Sequence, residues 1–551
     1  MFWADTIIED IEKRFAKKIA SGKQLIIRDE KTASGRVHIG SMRGVAIHGI
    51  ISAILKNKGI KQTFLYEIND FDVMDGLPVY LDKEIYEKEM GKVLNTVPSP
   101  EDTAENYAEY FGQEFEEVIE TAGFHPQFTR ASELYTSGKM NEVIREALDG
   151  ASAIRRIYKD VSGSEKTDDW HPLSVVCEKC GKIGTTKVSS WDSNEVTYTC
   201  EENLVEWARG CGHTGKISPF DGNAKLPWKV EWPAKWKVVG VDIEGAGKDH
   251  STKGGARDVA NHISRDVFNY EPPYDIPYEF FLVGGAKMSS SKGQGASAVE
   301  ISQLLPTKIL RLVLLGTLPK RAINLDPEGD TIPVWFDWHD RIAEKYWSEV
   351  EAKATKSSSP DAPLCGAFRD DDARLFELVH EGKTPEKMYL PRFSTVAFLV
   401  QMEHLNLEEE ISKIKSEYEQ RGETSLLTEE ERKELVERAD YAKRWLKAYA
   451  PEKYKFEIQD VLPDKAKSLT AEQKEGLRKV LEYIESTDKL NGEELHHAIH
   501  QIRKEMNIDP KDFFGALYTV ILGKDHGPKA GWFLSVLDRE FLIKRLSEAS
   551  Q

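Results

Sequence analysis

The sequence predicts an α/β fold in which a parallel sheet comes first, a cysteine-bearing insertion interrupts it, and helices follow to the C-terminus. Three observations support this. Residues 24–68 alternate strand, glycine-containing turn, helix and strand; four of the five cysteines fall between residues 177 and 211; and the pattern after about residue 300 is helical almost to the end. A strand–helix–strand unit is the beginning of a parallel sheet.

The first elements follow from hydrophobic spacing. Residues 1–20 predict an amphipathic helix, 24–28 a buried strand, 40–58 a helix with its isoleucines on one face, and 60–68 a second strand. Ligands bind beyond the carboxyl ends of parallel strands. The stretches "KTASGRVHIGSMRG" (31–44) and "NDFDVMD" (69–75) lie at two such ends. The sequence therefore predicts a binding site there.

The remaining elements are assigned in the same way. Residues 96–170 predict mostly helix, "EVTYTC" a strand, "WKVVGVDI" (236–243) and "YEFFLVG" (278–284) further strands, and "ATKSSSPDAPLCG" (354–366) a loop. We expect five parts: the first half of the sheet domain (1–95), an insertion (96–225) with its cysteine segment (171–216), the second half (226–300), a helical connection (301–350) and a helical C-terminal region (351–551).

Composition limits the class of protein. The formal net charge of −18 argues against a general nucleic-acid coat but leaves room for a local basic face. There is no unbroken apolar run long enough for a membrane span, and the N-terminus lacks the basic start and apolar block of a signal peptide. We therefore expect a cytoplasmic protein with no membrane partner, and a monomer.

Two short motifs suggest phosphate chemistry. In "SGRVHIGS", Gly35 and Gly40 let the backbone approach a ligand, and His38 lies at a strand-to-helix turn where it could stabilise charge on a phosphate. In "GGAKMSSSKG", Lys287 and Lys292 stand among glycines and serines, a composition that suits the binding of a leaving pyrophosphate. The alternatives are a tight turn with a surface histidine and a solvated linker.

Together the two motifs resemble the two signatures of class I aminoacyl-tRNA synthetases, in the right order and in an α/β context. Ser41 and Ser290 depart from the strict signatures, which have histidine and lysine there. The stretches "DGNAKLPWKVEWPAKW", "GKDHSTKGG" and "FFGALYTVILGKDHGPKAGWFLSVLDREFLIKRL" resemble class I lysyl-tRNA synthetases, and the last is also similar to the helical anticodon domains of glutamyl enzymes. The likeness extends from about residue 24 to 546.

This resemblance implies a Rossmann-type catalytic domain that activates L-lysine with ATP and Mg²⁺. The lysyl group then passes to the 2′-OH of the terminal adenosine of the tRNA for lysine. It implies His38, Lys287 and Lys292 as catalytic residues, and an ATP site of His38, Gly40, Ser41, Asp249, Lys287, Met288, Ser289, Ser290 and Lys292. His38 would stabilise the α-phosphate transition state, Gly40 would let adenine lie against the backbone, and Asp249 would accept from a ribose hydroxyl.

The lysine pocket implied by the resemblance comprises Thr32, Trp232, His250 and Tyr278, with Trp236 and Tyr274 as neighbouring alternatives. An acidic group of Glu30, Asp70, Asp72 and Asp75 lies at the two adjacent strand ends, and a lysine ammonium taken from water needs a carboxylate. We therefore add Glu30 and Asp72 to the pocket. The family usually has glycine where this chain has Glu30. Capping and turn formation are the alternative for the aspartates.

The cysteines predict a metal site. Cys177-x₂-Cys180 followed by Cys200 and Cys211 is a zinc pattern, although ten residues separate the second pair and His213 could replace one cysteine. We expect a closed structural Zn²⁺ site; free structural cysteines are the alternative. The family is similar in having a zinc-bearing insertion.

The C-terminal helices carry aromatic and basic residues that suit splayed-out anticodon nucleotides, with ordinary helical core as the alternative. They are Lys529, Trp532, Phe533, Arg539, Lys544 and Arg545. Two other functions remain open at this point: another class I synthetase, glutamyl-type being the nearest, and a non-catalytic tRNA-binding paralogue.

Overall fold

The computed structural model describes residues 1–285, 297–354, 370–402, 405–419, 425–527 and 529–551. The chain divides into two compact units, one of residues 1–326 with 341–384 and one of residues 327–340 with 385–551. The five-part division given above stays a prediction at its finer scale.

As far as residue 379, the described elements are helices and short strands. They are α1 Trp3–Arg14, α2 Ala16–Ala20, β1 Leu25–Thr32, α3 Met42–Asn57, β2 Gln62–Asn69, α4 Lys83–Tyr86, α5 Tyr107–Thr121, β3 Gln127–Arg130, α6 Ala131–Thr136, α7 Asn141–Asp149, α8 Ala151–Ser162, β4 Ser174–Val175, β5 Thr186–Trp191, β6 Val196–Cys200, β7 Thr214–Ile217, β8 Ala224–Lys225, α9 Trp228–Val239, β9 Ala246–Gly247, α10 Ala256–Asp266, β10 Pro277–Tyr278, β11 Phe281–Val283, α11 Ala298–Ser302, α12 Thr307–Gly316, β12 Ile323–Leu325, α13 Thr331–Ala354 and α14 Asp371–Val379.

The remaining elements are all helices. They are α15 Phe393–Leu399, α16 Leu407–Tyr418, α17 Glu429–Ala448, α18 Ala471–Ser486, α19 Gly492–Glu505, α20 Pro510–Leu522, α21 Ala530–Ser535 and α22 Arg539–Ser550. The predicted helical C-terminal region is thereby confirmed.

The central sheet is parallel, as predicted. β1 pairs with β2 along its whole length, and β3 continues the sheet on the far side of β2. On the free edge of β1, Ile27 bridges to Ile243 and Ile243 to Tyr274, both in parallel. The sheet therefore extends from both edges of β1. The carboxyl end of β1 is the topological switch point, where ligands bind in open α/β sheets.

Helix α3 is the apolar centre of this unit. The stretch Ile39–Asn57 is long and apolar enough to cross a membrane by length and composition, but 67% of its most apolar window is buried within the protein. It contacts β1, β2, α1 and α12. A core helix that crosses over a sheet has this character, because it is covered on several sides.

One predicted strand is wrong. Residues 236–239 of "WKVVGVDI" end α9, Gly240 terminates that helix with φ +78°, and of the following residues Ile243 bridges to the sheet. The valines favour a strand, but three tryptophans spaced four residues apart give one helix face to bury, and that packing overrides β-propensity. The predicted strand "YEFFLVG" forms as β10 and β11 with a break between them. The predicted loop from residue 355 lies outside the described residues.

The second unit has its own helical core. The indole of Trp445 donates to the carbonyl oxygen of Pro327 at 2.8 Å, and the buried Arg438 pairs with Asp340 and Glu434. A fully buried arginine is stable only with such partners.

Candidate active site

A cleft of about 310 Å³ opens at the carboxyl end of β1, against residues 244–250 and 278–281. This is the position predicted from the strand order. Nine of the predicted site residues line it: Glu30, Thr32, His38, Gly40, Ser41, Trp232, Asp249, His250 and Tyr278. Residues distant in sequence therefore converge on one site.

The other predicted residues stand differently. Asp72 does not line the cleft but accepts a hydrogen bond of 3.0 Å from the hydroxyl of Thr32, so it supports a lining residue. Asp70 follows β2 and is buried. Its carboxylate accepts a hydrogen bond of 2.8 Å from the amide of Ser132, in the first turn of α6. Lys287, Met288, Ser289, Ser290 and Lys292 lie outside the described residues.

The turn between β1 and α3 needs its glycines. Gly35 has φ +140°, and a Cβ on Gly40 would lie 2.7 Å from Nδ1 of His38. A Cβ on Gly44 would lie 2.5 Å from the Asp29 carboxylate and 2.7 Å from the Tyr278 hydroxyl. These glycines let α3 begin directly beside the cleft, with the His38 ring against Gly40.

A buried charge network forms the floor of the cleft. Arg28 lies 2.5 Å from Glu30, 3.1 Å from Glu67 and 3.2 Å from Glu244. Lys235 lies 2.6 Å from Glu67 and 3.3 Å from Glu30. The network comprises Arg28, Glu30, Glu67, Lys225, Glu231, Lys235 and Glu244. With every member ionised, its four carboxylates exceed its three cations by one negative charge.

Glu30 and Glu244 are the members of this network that line the cleft, and Glu30 has one carboxylate oxygen to spare. Both Arg28 and Lys235 bind its Oε2, and Oε1 makes no hydrogen bond to a described residue. Burial alone would raise the pKa of Glu30, but Lys235 and Arg28 outweigh it and hold that pKa well below its usual range. The structure therefore presents an ionised carboxylate oxygen to the cleft.

Aromatic rings form one wall. The rings of Trp228 and Trp232 stack at 5.5 Å and 14°, and His250 lies edge-on to Trp228 at 5.0 Å. The indole of Trp232 donates to Glu244, which ties the wall to the floor. Trp236 is fully buried and Tyr274 does not line the cleft, so Trp232 and Tyr278 are the better-placed members of the pairs considered above.

Sequence reasoning missed several lining residues. Trp228 could have been found from its spacing, because Trp228, Trp232 and Trp236 follow one helix face at intervals of four. Asp29, Lys31 and Glu244 also line the cleft. Glu244 gave no local signal, since its partner Arg28 is 216 residues away.

The four predicted cysteines lie together in the insertion. Their Sγ atoms all fall within 4.8 Å of one another, with Cys177 to Cys211 at 3.6 Å and Cys180 to Cys200 at 3.7 Å. A tetrahedral Zn²⁺ with Zn–S distances of about 2.3 Å needs S–S separations of about 3.8 Å. The four thiols therefore fit a closed tetrahedral site without His213.

The predicted anticodon-facing residues separate into two groups. Phe533 is fully buried, the buried Arg545 donates to the carbonyls of Val520 and Gln459, and Arg539 donates to Thr487 and Asp488. Phe533 therefore packs in the helical core, and the two arginines hold backbone segments of the same unit together. Lys529 and Lys544 are exposed and Trp532 is half-buried.

Comparison with known proteins identifies the family of this chain. The family described as tRNA synthetases class I (K) matches residues 1–361, and an anticodon binding domain matches residues 401–550. A lysine–tRNA ligase of Methanosarcina barkeri is 34% identical over 100% of this chain and 97% of its own length. That of Archaeoglobus fulgidus is 31% identical, over 100% of both chains.

A solved glutamate–tRNA ligase from Elizabethkingia meningosepticum aligns with 96% of this chain and 99% of its own, with 13% identity and a TM-score of 0.40, a likeness too low to bear on function. The family match covers more than half of the chain, and it includes every strand of the sheet and the whole cleft. The chain therefore belongs to the tRNA synthetases of class I (K).

Proposed function

We propose that this chain is a lysine–tRNA ligase, which activates L-lysine with Mg-ATP and transfers it to the 2′-OH of the terminal adenosine of its tRNA. The observation that carries the proposal is the combination of full-length relatives named for that activity with a cleft that suits a long cationic side chain. We also propose that the protein is cytoplasmic, as its composition suggests, and that it is a monomer.

The substrate's ammonium is placed at Glu30. This carboxylate is ionised, one of its oxygens is available, and the network that includes it has four carboxylates against three cations. The rings of Trp232 and Tyr278 border the same cleft and suit the methylenes of lysine. A buried ammonium needs such a partner, because an unpaired charge taken from water is costly.

Activation proceeds by attack of the lysine carboxylate on the α-phosphate, with loss of pyrophosphate. His38 is placed to stabilise the charge that develops there, because it lies at the turn that begins α3, where backbone amides also favour anions. Gly40 gives adenine access to the backbone, Asp249 accepts from the ribose, and Lys287 and Lys292 neutralise the pyrophosphate. Positioning and electrostatics are sufficient, so no covalent enzyme intermediate is needed.

Cys177, Cys180, Cys200 and Cys211 would hold a structural Zn²⁺. The fit of their sulfur separations to a tetrahedron supports this, and the amide of Cys211 donates to the sulfur of Cys200 at 3.3 Å, as expected around a thiolate. A bound Zn²⁺ would cross-link the short strands of the insertion and would take no part in the chemistry of the substrate.

The C-terminal helices are proposed to bind the anticodon arm. The match to an anticodon binding domain over residues 401–550 supports this, and the exposed Lys529 and Lys544 with the half-buried Trp532 are the residues best placed for RNA. Phe533, Arg539 and Arg545 are not part of this proposal, since each serves the helical unit itself.

Aminoacylation of total tRNA with each of the twenty labelled amino acids tests the function. We expect lysine alone to be transferred, and pyrophosphate exchange run with and without tRNA to depend on lysine. Glutamate would place its carboxylate against Glu30 and a negatively charged floor, which disfavours the glutamyl-type alternative. Charging with glutamate, or the absence of any charging as in a non-catalytic paralogue, would refute the proposal.

A further inference from the structure

The charges that line the cleft are strongly unequal. Among the described lining residues, Asp29, Glu30, Glu244, Asp249 and Glu279 carry carboxylates, whereas Lys31 is the only lysine or arginine. The reaction proposed above brings further negative charge, in the phosphates of ATP and the carboxylate of lysine. The Lys31 ammonium is therefore the only lysine or arginine group that the described part of this cleft offers to those anions.

Most of the acids already have cationic or hydrogen-bonding partners. Glu30 and Glu244 are bound by the buried charge network, Glu279 pairs with Lys248 at 2.7 Å, and Asp29 lies 3.3 Å from the ring of His48. The Lys31 ammonium, by contrast, makes no hydrogen bond or ion pair to a described residue. Lys31 is half-buried, and burial lowers its pKa while Asp29 opposes that change. A partly desolvated cation without a partner favours an anionic ligand.

Strand alternation assigns Lys31 to one side of the cleft. Successive side chains of β1 point to opposite faces, so Arg28, Glu30 and Thr32 share one face and Asp29 and Lys31 the other. The first face carries the buried charge network. The second faces α3, because the Asp29 carboxylate approaches Gly44 and His48 there. Lys31 is therefore on the side of the helix that begins at the His38 turn.

We propose that Lys31 binds the anionic oxygens at the reacting centre, where the carboxylate of lysine meets the α-phosphate. This inference rests on the proposed function. In that step a carboxylate oxygen forms a bond to phosphorus, the bond from phosphorus to the pyrophosphate oxygen breaks, and the ammonium keeps its protons while it neutralises non-bridging oxygens. The adjacent residues Glu30 and Lys31 then recognise the cationic and the anionic ends of one substrate.

The test compares Lys31→Met and Lys31→Arg with Lys58→Met, which removes an exposed lysine paired with Glu12 at 2.8 Å. Lysine-dependent pyrophosphate exchange, equilibrium binding of lysine and of lysinamide, and thermal melting are measured for each. We expect Lys31→Met to lower kcat/KM by about 10–100-fold, the usual loss of a charge-assisted contact. Lys31→Arg should recover most of the activity, and Lys58→Met should remain within about twofold of the wild type.

The binding measurements identify which anion is contacted. Weaker binding of lysine with unchanged binding of lysinamide, which lacks the carboxylate, assigns Lys31 to the substrate carboxylate. Unchanged lysine binding with a lower kcat assigns it to the α-phosphate.

Wild-type activity in Lys31→Met would overturn the inference, and so would equal losses of lysine and lysinamide binding together with a lower melting temperature. A wild-type protein that does not activate lysine would instead refute the proposed function.

Discussion

The cleft and the cysteine cluster both gather ionisable side chains at short distances, but they differ in what balances the charge. Beneath the cleft, cations of the protein itself lie against the carboxylates, with Lys235 2.6 Å from Glu67. In the cluster, four sulfurs face one another within 4.8 Å, with Cys177 3.6 Å from Cys211 and Cys180 3.7 Å from Cys200. The acids beneath the cleft therefore have cations of the protein as partners, whereas the four thiols have the arrangement for which a bound Zn²⁺ is proposed above.

The largest expected effect comes from breaking the balance beneath the cleft. Lys235→Met removes the cation shared by Glu30, Glu67 and Glu231 and leaves buried carboxylates without it. We expect the free energy of unfolding to fall by about 3–5 kcal/mol, measured by urea denaturation. The matched control is Lys237→Met, on the same helix and paired with the partly exposed Glu146, which should cost about 1 kcal/mol or less. Equal losses in the two variants would show that the buried carboxylates do not depend on Lys235.

The next effect separates chemistry from structure. His38→Ala removes a preorganised donor at the reacting phosphate, so kcat should fall by roughly 10²–10³ with little change in ATP binding. Pyrophosphate exchange under saturating ATP and lysine measures this, and zinc content serves as the control because it should not change. A loss confined to KM for ATP would instead indicate ground-state binding by His38.

A smaller effect is expected from Glu30, the network member whose Oε1 makes no hydrogen bond to a described residue. Glu30→Gly should raise KM for lysine by about tenfold and leave KM for ATP near its original value, because a single charge-assisted contact is lost. The wild type should also activate ornithine better than norleucine, which lacks the ammonium. An unchanged lysine KM would mean that Glu30 only completes the network, and norleucine activated as well as lysine would rule out a cation-specific pocket.

The smallest effect on catalysis is expected from the cysteine cluster. The purified protein should hold one zinc per chain by elemental analysis, and Cys177→Ser should lower that content and the protease resistance of residues 171–216. Lysine activation without tRNA should change by only a few-fold, since the cluster does not line the cleft. Cys365→Ser, the same change at the fifth cysteine, is the control. Full zinc retention in Cys177→Ser would disprove the ligand assignment.

What could be predicted from the sequence depended on how local the signal was. The β1–α3 turn with His38 and Gly40 has a contiguous motif, and the cysteine cluster has a recognisable spacing, so both were identified before the fold was known. The prediction of a strand at 236–243 is wrong. Its valines favour a strand, whereas the tryptophan spacing favours a helix, and only the packing of α9 decides between the two.

Residues whose role comes from distant contacts could not be predicted. Glu244 and Lys235 join the floor of the cleft through partners more than 160 residues away, and neither lies in a motif that suggests this. The opposite error occurs at the C-terminus. Phe533 and Arg545 resemble RNA-binding residues in sequence, but both are buried and stabilise the helical core. Aromatic and basic side chains suit both roles, and only the fold shows which one is taken.

The pairing of Arg28 with Glu244 has a consequence for how the protein is made. These residues are 216 positions apart, so during synthesis Arg28 leaves the ribosome long before its partner exists. At about 5–20 residues per second, the delay is roughly 10–40 s. Over that time the arginine and acids of β1 and β2 lack those of their ion-pair partners that have not yet been translated. Strand β1 is therefore synthesised early, but its charged side chains cannot be buried with all their partners until the chain beyond the insertion has been made.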